Sequence, residues 1–182
     1  MPRGTQHFTV AESNNLMVPR LVEATATIVA DDNADNDVAF NWVELPNVTL
    51  YPGDPAKLVS AVIYDPGVSL ANIELFFCRG SGDDGTAPTT AQNLQDGADG
   101  SAVADITAAE GTAIVICGSC ILKNGDATGL LTCGVAIKES MNLVMAPAVN
   151  STSLYVAGMY RGEPADNSGG NTTMTLYLGF EG

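Results

Sequence analysis

Stretches in which apolar and polar residues alternate recur along this chain, each bounded by turn-forming residues. Residues 153–160 and 171–180 show the pattern most clearly, and a turn-rich loop separates them. Alternation with a period of two is typical of a half-buried β-strand, and a strand as apolar as the second must be paired inside a sheet. The same signals predict strands at residues 21–30, 38–43, 47–51, 57–64, 72–78 and 112–121, the last of them buried because it is rich in β-branched residues.

Three regions depart from this simple alternation. Residues 130–145 fit two short strands, or one strand and a loop, and residues 104–110 fit a short helix. Residues 80–100 are polar and indicate a long loop, and loops of this length usually make contacts or carry function. About eight short strands with regular turn signals predict an all-β fold, namely one antiparallel β-sandwich that is jelly-roll-like.

The first 22 residues lack a sustained alternation. Pro2, Gly4 and Pro19 interrupt them, and residues 13–15 are turn-like. We therefore predict an extended N-terminal arm over residues 1–22, followed by a single β-sandwich domain over residues 23–182. The length of the chain suits one such domain with a full core.

The chain is acidic, with 7 basic and 21 acidic residues and a net charge of −14. Binding to nucleic acid requires Lys and Arg to neutralise phosphates, so this balance argues against nucleic acid and against an anionic membrane surface. Charged residues make up only 15% of the chain, against about 25% in ordinary soluble domains, which suits a protein that lives in an assembly. Without an apolar run of membrane-spanning length or a signal-peptide core, we expect synthesis in the cytoplasm.

The four cysteines raise the question of a metal site. Cys117 and Cys120 form a CxxC pair, but a zinc site requires a second pair or two histidines, and His7 is the single histidine. On a regular strand, the two cysteines also point to opposite faces. We interpret Cys78, Cys117, Cys120 and Cys133 as small buried hydrophobes, with a metal site or a disulfide as the alternatives. We predict neither a metal nor a cofactor.

No arrangement of residues indicates catalysis, and we predict that the protein is not an enzyme. A Ser-His-Asp triad would have to use His7 on the arm, and most carboxylates lie in polar loops where solvation is the simpler explanation. One alternative is Ca²⁺ held by Asp83, Asp84, Asp96 and Asp99. A second is a sugar-stacking face of aromatic rings, although packing within the sheets explains those rings more simply.

Two blocks resemble a widespread group of small virion structural proteins of tailed bacteriophages. In the first block, residues 58–65 (LVSAVIYD) and 71–77 (ANIELFF) are similar to that group's strand ending in Asp, short link and strand ending in Phe-Phe. Residues 45–49 (LPNVT) fit the approach to this segment. In the second block, residues 152–164 (TSLYVAGMYRGEP) and 173–179 (TMTLYLG) are similar to the group's ending.

The resemblance implies a capsid accessory protein of the decoration or cement type. Such a protein is a β-sandwich without enzymatic activity that binds and stabilises the shell of the major capsid protein from the exterior of the virion. The resemblance also implies a homo-oligomer, with a trimer as the expected state, since closed symmetry is usual for such contacts. The alternative function is a receptor- or glycan-binding module of the tail or fibres that uses residues 80–100.

The arm is the predicted capsid contact. Its apolar side chains require a partner surface, and its arginines are basic within an acidic chain. We expect the arm to become ordered on the particle. The alternative is that Phe8 and Leu16 pack on the arm's own domain. The predicted capsid-binding residues are Arg3, Phe8, Val10, Leu16, Met17 and Arg20.

Overall fold

The computed structural model describes residues 19–28, 32–33, 38–65, 72–81, 84–89, 92–94, 114–123, 134–161, 165–166 and 173–182. Strands dominate these residues, and every pairing among them is antiparallel. The strands are β1 (Arg20–Thr27), β2 (Asp32–Asn33), β3 (Val38–Leu45), β4 (Ala56–Asp65), β5 (Asn72–Ser81), β6 (Ile114–Leu122), β7 (Gly134–Lys138), β8 (Leu143–Met145), β9 (Leu154–Arg161), β10 (Ala165–Asp166) and β11 (Thr173–Glu181).

The strands pair as a nested ribbon. β1 pairs with β11, β2 with β10, β3 with β9, β4 with β7 and β8, and β5 with β6, so the chain runs out along one half of the ribbon and back along the other. The ribbon winds over two main sheets, and β2 and β10 form a separate two-stranded sheet. The first has the order β1-β11-β4-β7, with β8 also on β4, and the second has the order β3-β9-β5-β6. This winding is the jelly roll, and it confirms the predicted antiparallel sandwich.

The core lies between the two sheets and follows from the alternation in the sequence. Along β1, Val22, Ala24 and Ala26 are buried while the residues between them are exposed. Strand β11 alternates in the same way, because successive side chains of a strand point to opposite faces. The largest fully buried side chains include Phe40, Phe77, Phe180, Leu58, Leu75 and Leu176.

Strand β9 is buried along both of its faces. Leu154, Val156 and Tyr160 belong to the core between the sheets. On the outer face of the second sheet, Ala157 packs in a smaller cluster with Val38 and Leu94. The strand predicted at residues 153–160 is therefore present, but it is buried from two sides rather than half-buried as alternation indicated.

The predicted strand at residues 47–51 is wrong. Asn47 has a φ of 56°, in the left-handed region, and the following residues form turns and bends. The Val48 amide donates to Thr152 O (2.9 Å), and Thr49 Oγ1 donates to Tyr51 O (2.9 Å). The β-branched residues Val48 and Thr49 therefore belong to a loop, which their local and cross-loop hydrogen bonds stabilise, and not to a strand.

Strand β6 is half-buried, which corrects the prediction of a buried strand. It lies at the edge of the second sheet, and Ile116 and Ile121 are exposed. Its β-branched residues reflect the pleated surface of a sheet rather than complete burial.

Residues 130–145 contain two short strands, one of the two predicted alternatives. β7 and β8 pair with successive parts of β4, and between them the Met141 amide donates to Val59 O (3.0 Å). The predicted helix at 104–110 and the first 18 residues of the predicted arm lie outside the described residues. Residues 20–22, assigned to the arm, belong to β1.

Candidate functional site

Most of the predicted capsid-binding residues lie outside the described part of the chain. These are Arg3, Phe8, Val10, Leu16 and Met17. Arg20 opens β1, where its Nη1 donates to the main-chain oxygen of Asn47 at 3.2 Å. This contact joins the start of the first sheet to the loop that follows β3.

Two neighbouring loops present apolar side chains at the end of the sandwich where β1 begins. Leu50 and Tyr51 lie between β3 and β4, and Val149 lies between β8 and β9. Their exposed fractions are 47%, 67% and 71%. We call these three residues the loop patch. The sequence did not predict it, because the pattern assigned Leu50 and Tyr51 to a strand.

Hydrogen bonds between the two loops hold the loop patch in place. The Val48 amide donates to Thr152 O, and the Gly53 amide donates to Ser151 O at 3.0 Å. Gly53 has a φ of 75°, and a Cβ there would lie 3.1 Å from the Val149 Cα. The close approach of the loops and the left-handed backbone therefore both require glycine. Hydrogen bonds between the two loops therefore fix the backbone that carries the loop patch.

A cleft of about 280 Å³ lies near the same end, between β6 of the second sheet and β8 of the first. Ile116 and Val144 on its rim are 47% and 62% exposed. We call this cleft the seam. Toward the other end of β6, Lys138 Nζ of β7 donates to Ile121 O at 3.0 Å and links the two sheets. The seam is lined by Pro55, Arg79, Val115, Ile116, Cys117, Val144, Met145 and Ala146.

The cysteines beside the seam depart from the predicted geometry. Cys120 is part of the core, and Cys117 packs against the same core rather than pointing to the opposite face. The register shifts between the pairs Phe77–Gly118 and Cys78–Ile116, so Cys117 is the extra residue of a bulge that resets the alternation. The Cys117 thiol donates to Phe77 O at 3.5 Å.

The described thiols form no disulfide with one another, and they stay protonated at neutral pH. Burial raises the pKa of Cys78 to about 12 and the pKa of Cys117 and Cys120 to about 11, with the charge of Arg79 opposing the shift at Cys117. A thiol with a raised pKa is a poor nucleophile and a poor metal ligand. Among the described residues, no group of three or more His, Cys, Asp or Glu side chains is placed to hold a metal ion. Cys133 lies outside the described residues.

The described part of residues 80–100 packs on the outer face of the second sheet. Trp42 Nε1 donates to Gln92 O at 2.8 Å, and Gln92 Nε2 donates to Ser81 Oγ at 3.0 Å. The Thr89 amide donates to Gln92 Oε1 at 2.8 Å, and the Tyr155 hydroxyl donates to Gly85 O at 3.3 Å. These residues therefore cover the sheet, a role that the polar composition of the segment did not reveal.

The acidic residues considered as Ca²⁺ ligands are described only in part. Asp84 Oδ1 accepts a hydrogen bond from the Thr86 amide (2.9 Å), and this bond lowers the pKa of the carboxyl. Asp83, Asp96 and Asp99 lie outside the described residues, so the Ca²⁺ site stays a hypothesis.

The two most exposed tyrosines do not form one stacking surface. Tyr51 precedes β4, and Tyr64, 38% exposed, lies near the far end of that strand. Tyr64 lies eight positions beyond Ala56 along the strand, which corresponds to about 26 Å. Tyr155 and Tyr160 are buried. In the described part of the chain, no helix is both long and apolar enough to cross a membrane.

No protein-family model matches the sequence, and no curated protein sequence matches it. Among solved structures, the chain is similar to one in a cryo-EM structure of Mud Crab Dicistrovirus, with 9% identity and a TM-score of 0.31 over 100% of this chain and 73% of that chain. It is also similar to a chain of the Triatoma virus empty capsid, with 10% identity and a TM-score of 0.30 over 98% and 74%. The jelly-roll assignment rests on the strand pairing of this chain and not on these weak likenesses.

Proposed function

We propose that this chain is a virion structural protein, and specifically a non-enzymatic decoration or cement protein that binds the shell of the major capsid protein from outside. The observation that carries the proposal is the loop patch, which exposes three large apolar side chains on fastened loops. Such groups bind a partner protein by removing apolar surface from water. The jelly-roll fold, which viral capsid domains also use, and the sparsely charged composition support it.

In this proposal Tyr51 is the anchor of the interface. Tyrosine is enriched among the residues that dominate binding energy, because its ring buries a large area and its hydroxyl stays hydrogen-bonded. Tyr51 is 67% exposed, so most of its ring is available to a partner. The loops beside it are already hydrogen-bonded to each other, so binding orders little additional chain.

The test is the affinity of Tyr51→Ser for purified capsids. We expect the substitution to weaken binding by about tenfold or more, as for an anchor residue. Tyr64→Ser is the matched control, because it removes the side chain of a second partly exposed tyrosine, which lies near the far end of β4. Equal affinities of the two variants and the unmodified chain would reject the loop patch as the capsid contact.

The alternative function is a receptor- or glycan-binding module, and the ligand that the protein binds distinguishes the two functions. Binding to a glycan panel without binding to capsids would favour the module, and binding to capsids without glycans would favour decoration. We further propose a homo-oligomer, with a trimer as the first expectation. Sedimentation as a monomer both at micromolar concentration and on release from capsids would reject that state.

The arm stays a prediction, because residues 1–18 lie outside the described part of the chain. Truncation of these residues tests it on the same capsids. Unchanged affinity after truncation would assign shell binding to the loop patch alone. A large loss of affinity with the loop patch intact would assign it to the arm.

A further inference from the structure

In the described part of the chain, part of one edge of strand β6 has no strand partner. Within the described residues, its single strand partner is β5. Near the end of β6, the Lys138 ammonium binds the Ile121 carbonyl. Toward its start, the edge borders the seam with its exposed apolar rim at Ile116 and Val144. An open strand edge beside exposed apolar side chains is a template for one more strand.

The N-terminal sequence contains a segment with the pattern that such a site accepts. Residues 6–11 read QHFTVA, with Phe8 and Val10 on one face of an extended segment and His7 and Thr9 on the other. The segment contains no Pro or Gly, and Phe, Thr and Val all favour strands. One face can therefore cover the seam while the other meets solvent.

The chain enters the sheet close enough to the seam to reach it. In the first sheet, Arg20 pairs with Phe180, Phe180 with Leu58 and Leu58 with Leu143, so these residues form one row from β1 to β8. Three strand spacings measure about 14 Å. Residues 12–19 span up to about 26 Å when extended. The tether is therefore long enough to cross the end of the sandwich.

The direction of the chain also fits. Val115 and Ile116 line the seam together with Pro55, which immediately precedes β4, so β6 begins at the end of the sandwich where β1 begins. A segment at residues 6–11 on this edge runs toward that end in order to rejoin β1. It therefore lies antiparallel to β6, the orientation of every other pair in the described fold.

We propose that residues 6–11 of the same chain pair with residues 114–118 of β6 and lay Phe8 and Val10 over the seam. The short tether gives the segment a high effective concentration at its own seam, which favours it over the segment of a second copy. The added strand protects the edge and extends the second sheet to five strands. This docking does not depend on the proposed capsid binding, which uses the loop patch.

Hydrogen exchange of the full chain tests the proposal. In the double variant Phe8→Ser/Val10→Ser, we expect the edge-facing amides of residues 114–118 to exchange about tenfold faster or more. The matched control is His7→Ser/Thr9→Ser, which changes the other face of the same segment and leaves this exchange unaltered. Amides of β3, the opposite edge of the same sheet, serve as an internal reference and stay unchanged in both variants.

Two results would overturn the proposal. The first is an exchange rate for residues 114–118 that is the same in the unmodified chain and in both variants. The second is protection that increases with protein concentration, because docking within one chain is independent of concentration while docking between copies is not. Capsid affinity is measured in parallel. Unchanged hydrogen exchange would reject the docking of residues 6–11 without affecting the proposed capsid binding, and unchanged capsid affinity would reject the capsid binding without affecting the docking.

Discussion

Phe40 and Gly158 face each other across β3 and β9, and the pair illustrates how tightly single residues fit in this core. A Cβ at position 158 would overlap the ring of Phe40, with Cζ at 2.7 Å and Cδ1 at 2.9 Å. Both residues are buried in the described structure, so neither has open space into which to move. The absence of a side chain at Gly158 is therefore what allows the ring to fit.

We predict that Gly158→Ala destabilises the fold by about 1–3 kcal/mol, the usual cost of overpacking a core. Urea unfolding measures the loss. Adding Phe40→Leu, which removes the opposing ring, is the control, and the two substitutions together should cost less than the sum of their separate effects. Strict additivity would show that the ring is not what limits position 158.

The buried thiols predict a loss of stability in alkali. The pKa of Cys78 is raised from 9.0 in the unfolded chain to about 12 in the fold, mainly by burial. Above pH 9 the unfolded chain releases the proton while the fold retains it, so stability is full below pH 9 and falls as the pH rises toward 12. Burial and the nearby Asp65 carboxylate also raise the pKa of Tyr160, which acts in the same direction.

Comparing the unmodified chain with Cys78→Ala isolates this contribution. Between pH 9.5 and 11, we expect the free energy of unfolding to fall more steeply in the unmodified chain, by up to about 1.4 kcal/mol per pH unit. The slopes are compared rather than the absolute values, because the substitution also removes packing. Parallel slopes would contradict the assigned cause.

Among the elements, the segment around Gln92 has the most specific role. Gln92 bonds the Thr89 amide and the Ser81 hydroxyl with its side chain and accepts the Trp42 indole N–H with its carbonyl. Leu94 adds apolar contact with Val38 and Ala157. A segment separated from its contacts by up to 50 residues in sequence thus covers the outer face of the second sheet.

We predict that Gln92→Ala weakens the packing of this segment on the second sheet. The substitution leaves the Thr89 amide and the Ser81 hydroxyl without their hydrogen bonds to the Gln92 side chain, at a cost of about 1–3 kcal/mol. Trp42 is the single tryptophan, so its fluorescence reports on this place alone. The emission should shift to the red, and acrylamide should quench it more. Asn93→Ala is the neighbouring control. A change of equal size in both variants would mean that the Gln92 side chain has no specific part.

The alternation in the sequence predicts some of these elements and misses others. Alternation located β1, β4, β5, β9 and β11, because a period of two follows from the geometry of a strand. It failed at residues 47–51, where Val48 and Thr49 bond across loops, and it overstated the burial of β6, since edge and central strands have similar compositions. The loop patch and the seam depend on neighbours distant in sequence, which periodicity does not reveal.

For the whole molecule, the charge distribution agrees with a protein partner. Among the described residues, at least four basic side chains make contacts within the chain, and the full sequence has 21 acidic residues against 7 basic ones. This balance disfavours a polyphosphate ligand. The four contacts are Lys57 with Glu181, Arg161 with Glu74, Lys138 with Ile121 O and Arg20 with Asn47 O.

In the described part of the chain, exposed apolar side chains gather toward one end of the sandwich. The loop patch and the seam both lie toward the end where β1 and β4 begin, and the apolar side chains exposed there are carried by fastened loops and edge strands. Under the proposed function, this end binds the shell and the opposite end faces solvent. The account therefore predicts one preferred orientation on the particle.

The most direct test of the central claim is the quantity of this protein in purified virions. Quantitative mass spectrometry of intact particles measures its ratio to the major capsid protein. A protein that decorates the shell is predicted to occur at a fixed stoichiometric ratio to that protein, repeated over the whole surface. Absence from particles, or a few copies confined to the tail, would contradict the account.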